Sequence, residues 1–281
     1  MKLLVLTYLF LQVTFNSSAQ LREGFVNIKD GKLYYQVKGT GTPLVFLHGI
    51  CLDHRMWDKQ VQYFSDSFMC INIDLRGFGK SSLPDSPYSF HEDILTLLDR
   101  LHIYTPVCII ALSMGGKAAV NFALAYPNRT KCLVLADVAV DGFRFKEFDL
   151  GPLHDIAKNY GVDSANRQFL KNAIFSSMTE EPAYTSLKEM VLSYSGWQWL
   201  HKNPATMLNP VAIEQLDRIQ VPVLIITGDK DIQDFQDIAN ILHKNINQSV
   251  KMEIIGAGHM CNMENPRTFN QLVDDFLSNQ K

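Results

Sequence analysis

Short uninterrupted apolar runs recur along the chain, and stretches with helical spacing separate them. As a group, we interpret the runs as lacking the alternation of apolar and polar residues that marks a strand with one solvated face. Uninterrupted runs are typical of strands that are buried on both faces of a parallel sheet. The predicted strands are Leu44–Leu47, Phe68–Ile73, Val107–Leu112, Cys132–Ala136, Val221–Thr227 and Val250–Ile255.

A β-hairpin precedes these strands. Phe25–Ile28 and Lys32–Val37 are strand-like, and Asp30-Gly31 between them is a strong turn signal because both central turn residues need a positive φ. Strands that alternate with helices after a hairpin predict an α/β fold, with a mainly parallel sheet and helices on both faces. The predicted helices are His54–Phe64, His91–Leu101, Gly115–Ala125, Ile232–Leu242 and Pro266–Leu277.

Residues 140–216 interrupt this alternation. They are helical in character and rich in aromatic residues, and no strong strand stands among them. We predict that they form a helical cap inserted between two strands, so that the core consists of residues 20–139 and 217–281. The alternative is that these helices extend the main core. Ligands of such sheets bind at the carboxyl ends of the strands, so the cap would cover the pocket, and its Trp197 is a candidate substrate contact.

The first nineteen residues have the plan of a secretory signal peptide. Lys2 is a short basic region, Leu3–Phe15 is mostly apolar, and Ser17 and Ala19 are small residues in the places that precede a cleavage site. The apolar run is shorter than the roughly 20 residues that a membrane span needs. An uncleaved interfacial anchor and a hydrophobic N-terminal strand are the alternatives. We expect an exported protein, periplasmic or secreted, with no stable membrane span once residues 1–19 are removed.

Charge and cysteine content restrict the possible partners. The net charge is −3 and no Lys/Arg run occurs, so we expect no nucleic-acid partner. The five cysteines are an odd number, so at least one has no partner within the chain. Cys70, Cys108 and Cys132 lie in predicted strands, where we interpret each as a small buried hydrophobe. No two cysteines have the C-x-x-C spacing of a zinc or thioredoxin-like site, and we expect no metal.

Ser113 is the candidate nucleophile. The segment Ala111-Leu112-Ser113-Met114-Gly115-Gly116 follows a predicted buried strand and opens a helix, which is the context of a nucleophile elbow. The sharp turn of an elbow needs small residues two positions before and after the serine. Gly115 meets this requirement and Ala111 nearly does. The alternative is a serine that only caps the helix.

Asp231 and His259 complete a candidate catalytic triad. Each follows a predicted strand, so both can meet Ser113 at one edge of the sheet. His259 would take the proton from Ser113, and Asp231 would fix the imidazole tautomer and stabilise the imidazolium. Asp229 is the alternative acid. The combination of residue type, order and place favours a triad over three unrelated surface residues.

Two backbone amides are candidates for the oxyanion hole. One belongs to Ile50, in the loop that follows the strand Leu44–Leu47, and the other to Met114. The side chain of His48 is interpreted as structural, because the donors that the oxyanion needs are backbone groups. Cys51 lies one residue past the Ile50 donor and is a candidate substrate contact at the border of the pocket.

Several segments together make the chain similar to the α/β-hydrolase family over nearly all of residues 24–280. The order Ser, Asp, His along the chain is the order of that family. The resemblance implies that the acid is the aspartate three positions after a glycine, which selects Asp231, and that Asp74 and Arg76 hold a loop without a catalytic role. The matching segments are Gly41–Gly49, Asp74–Ser81, the Ser113 elbow, Gly228–Asp231, and Gly258-His259 with Glu264–Pro266.

Within the family, Leu112–Gly116 and His48–Trp57 resemble ester and lactone hydrolases, namely enol-lactonases of aromatic catabolism and the cofactor-free haloperoxidase/esterase group. A serine nucleophile argues against dehalogenases and epoxide hydrolases. The resemblance implies hydrolysis of a small-molecule ester or lactone through an acyl-serine, without a cofactor. A carbon–carbon bond hydrolase with the same triad and a ligand-binding receptor on the same fold are the alternatives. Multiple turnovers of an activated ester would exclude the receptor. The sequence leaves the oligomeric state open.

Overall fold

A single sheet organises the residues that the computed structural model describes, which are 20–179 and 182–280. The predicted signal peptide, residues 1–19, lies outside the described residues and stays a prediction. The strands are β1 (Arg22–Ile28), β2 (Gly31–Lys38), β3 (Pro43–Leu47), β4 (Met69–Ile73), β5 (Val107–Leu112), β6 (Thr130–Ala136), β7 (Val223–Gly228) and β8 (Ser249–Ile254). They lie side by side in the order β1-β2-β4-β3-β5-β6-β7-β8.

The first two strands form the predicted hairpin. Asp30 in its turn has a φ of 55°, the left-handed conformation that this turn requires, and Ile28 pairs with Gly31. β2 lies antiparallel to β4, whereas every later pair of neighbours in the sheet is parallel. The mainly parallel sheet after an N-terminal hairpin is therefore confirmed.

Helices connect and cover the parallel strands. Every residue of β3, β5 and β7 is buried, whichever face its side chain points to, as expected of strands between two helical layers. The helices are α1 (Asp58–Phe64), α2 (Phe90–Arg100), α3 (Met114–Ala125), α4 (Gly151–Tyr160), α5 (Val162–Phe169), α6 (Ala183–Ser193), α7 (Trp197–Leu200), α8 (Gln233–Asn245), α9 (Cys261–Glu264) and α10 (Pro266–Ser278). α2 packs on α3, and α1 packs on α10.

β8 departs from the prediction of strands buried on both faces. Val250 is 53% exposed and Met252 is 40% exposed, so for this strand the prediction was wrong. β8 is the last strand of the sheet and has β7 as its neighbour on one side. The run Val250–Ile255 contains Lys251 and Glu253 at alternate positions, and this alternation is not the pattern of a strand buried on both faces.

Between β6 and β7, the described residues form α4 to α7 and short 3₁₀ turns, with no strand among them. This agrees with a helical insertion, whose limits at residues 140 and 216 stay a prediction. Near its start, the backbone amides of Lys146, Glu147 and Phe148 donate to the carboxylate of Asp234 in α8 at 2.7–3.0 Å. Burial raises the pKa of this carboxyl, but the three amide donors outweigh that effect and lower the pKa below its usual value.

The cysteines correct a second prediction. Cys108 in β5 and Cys132 in β6 are buried, as predicted, but they are direct register partners and form a disulfide, so they are not simply small hydrophobes. Cys70 is a buried thiol, as predicted, and Cys51 and Cys261 are buried thiols too. Within the described residues, no helix combines the length and the apolar character that crossing a bilayer requires.

Candidate active site

Ser113 lies on a sharp turn between β5 and α3. Its φ of 54° and ψ of −122° are unusual for a residue with a side chain, and such strain persists only where the surroundings enforce it. The Ser113 carbonyl accepts the amides of Gly116 and Ala139, both at 2.9 Å. A Cβ atom on Gly115 would lie 2.4 Å from a carbonyl oxygen of β3, so only glycine allows the helix to start this close to the sheet.

A chain of hydrogen bonds joins the three predicted triad residues. His259 Nε2 lies 2.8 Å from Ser113 Oγ, and His259 Nδ1 lies 2.7 Å from one carboxylate oxygen of Asp231. The other Asp231 oxygen accepts the Ile232 amide at 2.8 Å. Because a carboxylate only accepts, Nδ1 carries the proton and Nε2 is left to accept from the serine hydroxyl. Ser113 is 4% exposed and His259 is 1% exposed, so water hardly reaches this chain.

The structure shows which of the two candidate acids contacts His259. The Asp231 side chain is fully buried against His259. Asp229 is exposed, and one of its carboxylate oxygens accepts the Gly256 amide at 2.6 Å. Asp231 is thus the carboxylate that reaches the imidazole, whereas Asp229 holds the loop that follows β8.

Two backbone segments meet at the place where an oxyanion would form. Gly49 lies close enough to the nucleophile that a Cβ on it would be 3.3 Å from Ser113 Cβ, and Ile50 lines the same small cavity as Ser113. Met114 is the first residue of α3, so its amide lies at the positive end of the helix dipole. Both predicted oxyanion donors therefore lie next to the serine.

His48 has a structural set of contacts. Its Nε2 accepts the Leu75 amide at 2.9 Å, and its Nδ1 lies 2.7 Å from the Gly49 carbonyl. Both ring nitrogens are therefore engaged within the protein when the proton is on Nδ1. Complete burial lowers the pKa of His48, which keeps the ring neutral. The side chain thus ties the loop after β3 to the loop after β4.

The cavity at Ser113 is small. It has a volume of about 10 Å³, and Ile174 and Phe175 from the helical insertion line it together with the serine. A single water needs about 10–15 Å³, so this space is smaller than an ester. Sequence reasoning did not single out either residue. The insertion carries many aromatic residues, and no pattern among them shows which one reaches the sheet edge.

A larger cavity of about 370 Å³ adjoins the small one, since Leu52 lines both. Cys51, the predicted substrate contact, lines the larger cavity, and Tyr194 lines it from the insertion. Burial raises the pKa of the Cys51 thiol well above its usual value, so it faces this space in the protonated form. Trp197 lies outside both cavities and stacks on His201 at 5.0 Å, so the structure does not place it against a substrate.

Asp53, His54 and Asp74 bring carboxylate and imidazole ligand atoms close together beside the larger cavity. Arg55 binds both oxygens of Asp53 at 2.6–2.8 Å. One oxygen of Asp74 accepts the amide and Nδ1 of His54, and the other accepts the Lys80 amide. All four carboxylate oxygens are thus engaged by protein donors, and the group holds the loops after β3 and β4 together.

The comparisons with known proteins agree with this geometry. The profile of a family described as "Alpha/beta hydrolase family" matches residues 44–272. 3-Oxoadipate enol-lactonase 2 of Acinetobacter baylyi is 27% identical over 244 residues, which are 82% of this chain and 86% of the relative. A putative non-heme chloroperoxidase of Synechocystis sp. is 28% identical over 273 residues, covering 87% and 94% of the two chains. The solved structure of a thermophilic esterase from Thermogutta terrifontis superposes with a TM-score of 0.78 at 24% identity, covering 93% of this chain and 99% of the esterase. The similarity to ester and lactone hydrolases is confirmed.

Proposed function

The chain belongs to the alpha/beta hydrolase family, and we propose that it hydrolyses carboxylic esters or lactones of small molecules through an acyl-enzyme on Ser113. The observation that carries this proposal is the buried chain of hydrogen bonds from Ser113 through His259 to Asp231, at 2.8 and 2.7 Å. The ester and lactone hydrolases among the relatives support the choice of bond.

In the acylation step, the triad moves the serine proton to the leaving alcohol. Ser113 Oγ attacks the carbonyl carbon while His259 Nε2 takes the hydroxyl proton, and Asp231 stabilises the imidazolium through Nδ1–H. The amides of Ile50 and Met114 hold the oxyanion, and removing one such donor typically costs about 3–4 kcal/mol. As the tetrahedral intermediate collapses, the carbon–oxygen bond to the leaving group breaks. The imidazolium gives its proton to the departing alcohol oxygen, and the acyl group stays on Ser113.

Deacylation repeats the cycle with water. His259 Nε2 takes a proton from water, and the resulting hydroxide attacks the acyl carbon in the same oxyanion site. The imidazolium then protonates Ser113 Oγ as the acyl-oxygen bond breaks, which releases the acid and restores the enzyme. With a lactone, the alcohol stays attached to the acyl group and the product is a single hydroxy acid.

The two cavities suggest where different parts of a substrate bind. The small space at Ser113 is lined mainly by apolar side chains, among them Leu52, Leu112 and Met260. A substrate would have to displace part of this lining, and its apolar character favours a short hydrocarbon group beside the serine. The larger cavity has mixed polarity and suits a polar part of the substrate. Ile174 and Phe175 would set the size limit of the group beside the serine.

Hydrolysis of p-nitrophenyl acetate tests the proposal. We expect multiple turnovers by the purified protein and a loss of about 10⁴-fold or more in kcat for Ser113→Ala. Asp231→Asn should lose about 10⁴-fold, since asparagine favours the wrong imidazole tautomer, whereas the matched control Asp229→Asn should stay close to wild type. A Ser113→Ala variant that keeps most of the activity would remove Ser113 as nucleophile. No turnover by the wild type would favour a carbon–carbon bond hydrolase or a ligand receptor.

We also propose that the protein is exported after removal of residues 1–19. The disulfide between Cys108 and Cys132 supports this, because disulfides persist mainly in oxidising compartments. Mass spectrometry of the protein outside the cytoplasm of its producing cells should find Gln20 as the N-terminus. A chain that keeps Met1 and stays in the cytoplasm would contradict the proposal.

A further inference from the structure

A second buried carboxyl group lies against the acid of the triad. Asp137 directly follows β6 and is 1% exposed. Its carboxyl accepts the amide of Gly228, whose own carbonyl accepts the Asp231 amide at 3.2 Å, and it contacts the carboxyl of Asp231, whose side chain has no exposed surface. Two ionised carboxylates cannot both persist so close together away from water. One of the two carboxyl groups is therefore protonated.

On balance, the surroundings of Asp137 favour its neutral form. The Gly228 amide donates to both of its oxygens at 3.2 and 3.3 Å, and the buried thiol of Cys261 lies beside it; both contacts favour the ionised form, but burial outweighs them. Among the described residues, no lysine, arginine or histidine forms an ion pair with it. Burial first, and then the neighbouring Asp231 carboxylate, raise the pKa of Asp137 well above its usual value.

The backbone holds Asp137 in one place. Its φ of 43° lies in the left-handed region, which aspartate and asparagine tolerate better than most residues. Its amide donates to the Ile226 carbonyl in β7 at 2.9 Å. The side chain is thus fixed between the ends of β6 and β7.

We propose that Asp137 is a positioning residue of the triad, which in its protonated form donates a hydrogen bond to the Asp231 carboxylate and holds it against His259. The inference rests on the proposed function for its effect on turnover. With this bond, Asp231 has a donor from each side: the Ile232 amide, His259 Nδ1 and the Asp137 carboxyl. No proton leaves the pair during catalysis. Its single negative charge balances the single positive charge that His259 carries in each step.

Two variants of Asp137 distinguish the effect of its hydrogen bond to Asp231 from the effect of its carboxyl group. Asp137→Asn keeps the shape, an amide donor for Asp231 and a carbonyl acceptor for Gly228, so kcat for p-nitrophenyl acetate should stay close to wild type. Asp137→Ala removes the donor. A hydrogen bond to a charged group corresponds to a loss of about 10- to 100-fold in kcat, with KM little changed. Thermal melting of both variants establishes that they are folded when they are assayed.

The pH profile and the infrared spectrum give readouts that a merely structural role would not move. If Asp137 is neutral, Asp137→Asn leaves the acid limb of kcat/KM where it is in the wild type. If Asp137 were ionised, removing its charge would destabilise the imidazolium and move the limb to lower pH. At neutral pH, the difference spectrum of wild type minus Asp137→Asn should contain the carbonyl stretch of a protonated carboxylic acid.

Several results would overturn the inference. These are an acid limb that moves in Asp137→Asn, a difference spectrum with only a carboxylate band, a folded Asp137→Ala variant with wild-type kcat, or an Asp137→Asn variant as slow as Asp137→Ala. The infrared measurement needs no turnover, so it tests the shared proton even if the protein hydrolyses no ester. Conversely, an active esterase without the protonated band would leave the proposed function intact.

Discussion

Replacing Asp234 by asparagine should destabilise the protein by loosening the start of the helical insertion. Asp234 is 1% exposed, and its carboxylate accepts the amides of Lys146, Glu147 and Phe148 at 2.7–3.0 Å. The next residue, Phe235, packs its ring 4.2 Å from the ring of His259. The same turn of α8 therefore anchors the insertion and supports the proposed base.

The magnitude follows from the bonds that asparagine cannot make. A hydrogen bond to a charged group contributes about 1.5–3 kcal/mol, and bonds to one acceptor are not additive. The Asp234→Asn side chain would keep one carbonyl oxygen but would turn an NH₂ group towards backbone amides. We expect a loss of about 2–4 kcal/mol in the free energy of unfolding, or about 5–15 °C in Tm. The matched control is Asp237→Asn on the same helix. Asp237 is partly exposed and lies 4.0 Å from Lys146 Nζ, so its loss should cost less than about 1 kcal/mol.

The stabilisation by Asp234 should depend on pH in a known direction. The pKa of Asp234 is lowered in the folded protein, so the ionised carboxylate stabilises the fold above its unfolded pKa of about 4. That contribution is lost as the pH falls through the lower, folded pKa. Urea denaturation should therefore show the full difference between wild type and Asp234→Asn at pH 7 and a shrinking difference below about pH 4. A difference at pH 7 no larger than that of Asp237→Asn, or one independent of pH, would refute the reasoning.

Three further predictions concern the pocket, the base and the disulfide. Phe175→Ala should raise kcat/KM for p-nitrophenyl butyrate relative to the acetate, because Phe175 lines the small cavity at Ser113; an unchanged ratio would show that the ring does not limit acyl size. The kcat/KM profile should fall on its acid side, because His259 must be neutral to accept the Ser113 proton; a flat profile between about pH 5 and 8 would contradict that role. Replacing both Cys108 and Cys132 by alanine should lower the free energy of unfolding by about 3 kcal/mol, as expected for a crosslink across 24 positions; an unchanged urea midpoint would argue against the crosslink.

The fold was largely predictable because its signals are local. The uninterrupted apolar run at Val107–Leu112 is the same six residues as β5, and the Asp30-Gly31 turn marks the hairpin. A buried parallel strand needs apolar residues on both faces, so its sequence differs from that of an amphipathic helix. β8 is the exception. Its run, Val250–Ile255, contains Lys251 and Glu253, and its place at the edge of the sheet depends on which strands lie beside it.

The contacts that the insertion makes with the site could not be predicted, for a related reason. Helical spacing shows that a segment has an apolar face, but not which other element that face meets. The 3₁₀ turn at Ala173–Phe175 reaches the cavity at Ser113 because of how the insertion packs on the core, and nothing in its own residues indicates this contact. Trp197 was an equally reasonable candidate by residue type and lies outside both cavities. Substrate contacts from a cap therefore need the three-dimensional arrangement.

The residues at the edge of the sheet likewise fall into those that the sequence predicts and those that only the structure identifies. Ser113, Asp231 and His259 could be found because each lies at the carboxyl end of a parallel strand, and all such ends share one edge whatever the order of the strands. Asp137 also follows a strand, but its importance comes from β6 lying next to β7, which places it against Asp231. The Cys108–Cys132 pair depends on lateral register in the same way. A single sequence shows where a strand ends but not which strand is its neighbour. The sequence therefore indicates which residues reach the edge of the sheet. Which other groups contact and position those residues is seen only from the order of the strands.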